Sequence, residues 1–180
     1  MANYAGMQKS AVNSSPITAG LVTQALRPGD TSGYVAATDV VVGGPAFLVD
    51  SNTLNQSIQA TGSSTNPFIG VIYRANTTAS VDYYTVGYTT TISAGLRVEV
   101  ITRGTVAVAV TQQGATPVVP AFGDIVFVLP SGVFFTQATA GGTLPSGAIQ
   151  TNFRVDFVPA GTTAAAGQLV VITNRQNVGV

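Results

Sequence analysis

From Leu96 to Val110 the apolar side chains fall on the even positions: Leu96, Val98, Val100, Val106, Val108 and Val110. Arg97, Glu99, Arg103 and Thr105 take the odd ones. A period of two is the mark of a strand with one face against a core. Fully extended, the run would span roughly 50 Å, beyond an ordinary strand, which predicts a break at Thr102-Arg103-Gly104 with Gly104 as pivot. Past that break the odd positions are Ala107 and Ala109, small enough to let another sheet or subunit come close.

The same pattern organises the rest of the chain. Tyr34 to Val42, a Gly43-Gly44-Pro45 turn and Ala46 to Asp50 predict a hairpin. Ser51 to Asn66 is polar and loop-like. Pro67 to Arg74 predicts a strand in which Gly70 marks a close backbone approach or a bulge. Val81 to Ile92, kinked at Gly87, is the next strand. A proline-containing loop over Gln112 to Pro120 precedes Ala121 to Leu129, where apolar residues on both parities predict burial on both faces. Pro130-Ser131-Gly132 turns this segment into Val133 to Thr136. Ala138 to Gly147 is a Gly-rich loop, Asn152 to Val158 alternates again, and Gln168 to Thr173 is the last strand.

About ten strands result, and with no long internal repeat they suit an all-β fold: a largely antiparallel sandwich, jelly roll or barrel. Val, Ile and Thr make up about a third of the residues, which favours strands over helices. Residues 1–30 differ. Periodicity fails there, and Arg27-Pro28-Gly29-Asp30 closes the segment, although Thr18 to Leu26 could hold one or two helical turns. We read an extended arm (1–30) before a β-domain (31–180), with Tyr4, Met7, Lys9, Val12, Ile17, Leu21, Leu26 and Arg27 as candidate anchor residues.

Charge changes this picture most. Only 8% of the residues are charged, seven cations against seven acids, for a formal net charge of zero. A surface so poor in charge is weakly solvated and predicts coverage by other protein. The cations are scattered, which argues against nucleic acid as a partner, since phosphate binding needs clustered Lys and Arg. Prolines and glycines interrupt the long uncharged runs, so no stretch reads as a spanning helix, and the N-terminus does not read as a signal peptide. We therefore expect no membrane partner.

Candidate chemistry is thin. The chain holds no His and no Cys, which removes the commonest general base, the nucleophilic thiol and the usual zinc ligands. Asp30, Asp39, Asp50, Asp82, Glu99, Asp124 and Asp156 are left, and no motif selects two of them as a glycosidase pair. Glu99 is expected beside Arg97 or Arg103, and Asp30 and Asp124, each after a glycine, in turns where carboxylates accept backbone N–H groups. Gly43-Gly44 and Gly141-Gly142 are turns rather than phosphate cradles, and no calcium loop is present. We assign no catalytic residue, cofactor or metal. Phe122, Phe127, Phe134 and Phe135 fill a core or, with Ala107 and Ala109, form an oligomer interface. Tyr83, Tyr84 and Tyr88 could form a glycan platform.

Taken in order, Phe68-Ile69-Gly70-Val71, Tyr84-Thr85-Val86-Gly87, the Val98 to Val106 segment with its Arg103-Gly104, Gly123-Asp124-Ile125-Val126-Phe127-Val128 and Gly167 to Val171 resemble the structural cement, or head decoration, proteins of tailed bacteriophages. The likeness covers roughly residues 33–173, and Ala107 departs from the larger side chain expected there. The resemblance implies a non-enzymatic virion protein, made in the host cytoplasm. It would sit on the outer surface of the expanded capsid as a dimer or trimer and bridge major capsid protein subunits. The alternative is a trimeric adhesin or tail-associated module that binds glycans.

Overall fold

The computed structural model describes residues 20, 30–49, 56–63, 65–73, 91–114, 117–137 and 143–174. Twelve strands run through them: β1 Thr31–Ala36, β2 Val40–Val41, β3 Pro45–Leu48, β4 Ser57–Gln59, β5 Phe68–Tyr73, β6 Thr91–Ile92, β7 Arg97–Ile101, β8 Thr105–Val110, β9 Ile125–Val128, β10 Phe134–Gln137, β11 Ile149–Phe157 and β12 Gln168–Thr173. None of the described residues is helical, so among them no helix is long and apolar enough to cross a membrane. The all-β expectation holds, and its strands close into two five-stranded barrels, ordered β1-β4-β3-β5-β7 and β10-β8-β12-β11-β9, with β2 and β6 as a separate pair. Most ladders are antiparallel; β1 with β4 and β8 with β10 are parallel.

The run from Leu96 to Val110 carries the chain from one barrel to the other. It breaks at residues 102–104, as its length predicts, with Gly104 at φ 134°. Two other parts of the chain fasten the break. Asp30 O accepts from the N–H groups of Thr102 (2.9 Å) and Arg103 (3.1 Å), and Asn174 Oδ1 accepts from Gly104 N (2.7 Å). Val98, Val100, Val106, Val108 and Val110 are fully buried, whereas Leu96 stands outside the strand and is 47% exposed. Thr105 departs from its expected polar face. It is buried, and its hydroxyl pairs with Thr173 Oγ1 at 3.0 Å, which meets the hydrogen-bonding need that burial imposes.

Both features expected of Gly70 are present. A Cβ there would run into Ile101 O and come within 2.8 Å of Val100 Cγ1, and the β3–β5 register shifts opposite it, between Ala46 and Phe47. The hairpin expected over residues 34–50 does not form as such. Its turn exists, with Gly43 at φ 83° and Gly44 N donating to Val41 O. However, Gly43 N bonds Ile72 O and Gly44 O accepts from Ile72 N, which lays the turn on β5. Consequently β2 pairs β6 while β3 pairs β4 and β5. The stretch expected to be loop at 51–66 contains β4, whose one apolar residue, Ile58, is fully buried. The Leu129–Val133 turn joins β9 to β10 in register, as expected. Phe157 is half exposed because a bulge between Val155 and Phe157 turns the end of β11 outward.

Two core clusters follow. One packs the first barrel against the β2–β6 pair, around Val40 and Ile92 of the pair and Ile58, Ile72, Val98 and Val100 of the barrel. The other joins the barrels: Phe47, Val71 and Ile101 of the first pack with Val106, Val108, Val128, Phe134 and Ile172 of the second. Phe68 meets Phe47 and Phe134 edge to face, at 5.9 and 6.1 Å, a favoured ring geometry that adds to the burial itself.

Candidate interaction surface

The segment 117–124, between β8 and β9, carries three exposed large apolar side chains. Val118 is 71% exposed, Val119 46% and Phe122 76%. The segment is held from both ends. Gln112 Nε2 donates to Val118 O and to Thr136 Oγ1, both at 2.8 Å, and Gln112 Oε1 accepts from Thr136 N at 2.8 Å. At the other end Gly123 N donates to Val155 O (2.8 Å), Val155 N to Asp124 O (2.9 Å), and Arg154 Nη1 to Gly123 O (3.1 Å). Asp124 closes the turn by accepting from Ala121 N at 2.9 Å, the role its position after glycine predicts. Large apolar side chains on a fastened loop make a contact surface whose ordering cost is already met within the fold.

The phenylalanines expected to act together are separated. Phe134 lies in the shared core. Phe127 and Phe135 stack at 5.3 Å with an interplanar angle of 19°; both are buried, and neither belongs to a core cluster. Phe122 alone of the four faces solvent. Ala107 is buried and Ala109 exposed. The anchor residues Tyr4, Met7, Lys9, Val12, Ile17, Leu21, Leu26 and Arg27, and the tyrosines 83, 84 and 88, lie outside the described residues. Sequence reasoning missed Gln112, since nothing in a polar loop marks which glutamine will bridge two segments. It also passed over Val118 and Val119, which were visible as two adjacent apolar residues between prolines.

Glu99 pairs with Arg97 at 3.1 Å, as expected, and Asp39 Oδ1 accepts from Ala94 N at 2.9 Å. Burial pushes the Tyr73 hydroxyl above its ordinary value; a hydrogen bond to Thr31 acts against this, and the nearby Glu99 charge adds to it. No group of three or more potential metal ligands occurs among the described residues. A depression of about 390 Å³ lies between the end of β11 and the start of β12, and Pro159, Thr162, Gln168 and Leu169 among its lining residues bring no charge.

A family model described as "Structural cement protein (E217 gp24/Pam3 gp6)" matches residues 7–175. The chain belongs to this phage cement family. The match extends the sequence resemblance, which began near residue 33, back to residue 7. Among solved structures, a chain of "The capsid of Myoviridae Phage XM1" is similar with a TM-score of 0.55 and 18% identity, over 89% of this chain and 91% of that chain. At that identity the likeness is one of fold. No curated protein matches. Family membership assigns the chain a structural role in the phage capsid.

Proposed function

We propose that the protein binds the outer surface of the expanded phage head, bridges neighbouring major capsid protein subunits, and so holds the shell against the pressure of packaged DNA. The family match over residues 7–175 carries this reading, and the fastened Val118-Val119-Phe122 loop supplies a surface suited to it. A clamp of this kind needs apolar contact and little charge, in keeping with a chain that is 8% charged and neutral overall. Its partners are the capsid protein and other copies of itself, in a dimer or trimer, without nucleic acid or membrane. Several contacts per oligomer act at high effective concentration, so weak single contacts sum to firm attachment. After synthesis in the host cytoplasm it would join the head from outside. The test is to strip heads of surface protein, add the purified chain back and measure the temperature at which the shell opens. Saturable restoration of the native opening temperature is expected. An unchanged opening temperature at saturating protein would refute the reading.

A further inference from the structure

We infer that the Thr105–Ala109 edge of β8, together with the Val41–Gly44 turn beside it, is the docking site of the chain's own N-terminal arm, which is locked there at Gly20. β12 pairs with β8 from Thr105 to Val110, but β10 meets it at one position, Phe134 opposite Val110. The alternation of the ladder fixes which groups face the less covered side. Asn174 N donates to Gly104 O on the β12 side, and Thr111 N to Phe134 O on the other, so the odd-numbered residues point their backbone groups away from β12. On that side Gly20 N donates to Ala107 O at 2.7 Å.

Gly20 suits this place as no other residue would. Its φ is +76°, it is buried, and a Cβ would collide with Val42 Cγ1 and stand 3.0 Å from Gly43 N. Both the backbone conformation and the space exclude a side chain. A second observation points the same way. Ala107 and Val171 face each other across β8 and β12, exposed by 0% and 4%, yet neither belongs to either core cluster. Ala109, one step further along the same face, is exposed. Whatever covers this outer face therefore stops between Ala107 and Ala109, and Gly20 is bonded at that limit. The small side chain at Ala107, where the resemblance led us to expect a larger one, leaves room for the arm. Strand addition to a sheet edge also removes a site for unwanted pairing. The nineteen residues that precede Gly20 span at most about 65 Å when fully extended.

The inference concerns the free protein and stands or falls apart from head binding. Its test is hydrogen exchange at the Gly20 amide in the full chain, read by NMR. We expect exchange slowed about a hundredfold or more relative to an unstructured peptide, independent of protein concentration. In Gly20→Val this protection is lost, while the amides of Val106, Val108, Val170 and Ile172 keep theirs. An unprotected Gly20 amide in the native chain would overturn the proposal, whether or not the variant folds. Protection retained in the variant would do the same. So would protection that falls on dilution, since the docked arm would then be a second copy's.

Discussion

Gly70 and Phe122 mark the two extremes of how single residues act in this molecule. At Gly70 the backbone of β7 comes so close that a methyl group has no room, and the obstruction is a carbonyl that cannot turn aside. Gly70→Ala is expected to cost about 1–3 kcal/mol, as overpacking does, seen as a lowered midpoint in thermal or denaturant unfolding. Phe122, three-quarters exposed, has little to lose on folding. Phe122→Ala should leave stability within about 0.5 kcal/mol of the native chain while weakening attachment to heads, measured as a raised half-saturation concentration in a sedimentation titration. Gln112 stands between these extremes. Gln112→Ala would strand the Thr136 N–H, which it now satisfies, at a cost of about 1–3 kcal/mol. It would also free one end of the loop that carries Val118, so stability and head binding should fall together.

At the scale of elements, legibility followed the length of the pattern. β7, β8 and β11 each carry enough alternating residues to be read directly, and the break between β7 and β8 followed from the length of the run and the glycine at 104. β4 has three residues and one buried side chain, too little for any period to register. β2 was read as half of a hairpin because turn chemistry at Gly43-Gly44-Pro45 is local. The partner of each arm is decided by Ile72, far along the chain, through hydrogen bonds no local signal announces. The 117–124 loop shows the same division. Its exposed valines and Phe122 were present in the sequence as apolar residues among prolines, but their exposure depends on Val155, Arg154 and Gln112. Gly20 was legible only as one more glycine in the sparsely apolar segment 1–30.

For the whole molecule the decisive feature is the core shared by the two barrels. Phe47 of the first barrel packs, with Val71 and Ile101, in the cluster that also holds the core residues of the second. We therefore expect both barrels to unfold in one transition. Phe47→Ala should lower its midpoint by the equivalent of about 3–5 kcal/mol without splitting it, which calorimetry would check. Stability should also change little between about pH 6 and 9, because the chain has no histidine or cysteine to titrate there. Above that window Tyr73 acts. Its raised value means that the folded state holds the phenol proton more tightly, so its contribution is present below the ordinary value of 10.0 and is lost as pH rises through the folded one. On the proposed function, the protein adds contacts to a shell that has reached its final form, and the property to test is a preference for that form. The most direct measurement is co-sedimentation of the purified protein with stripped heads at the immature and expanded stages, side by side. Saturable binding to expanded heads alone is the predicted result. Binding to neither, or equal binding to both, would contradict the account.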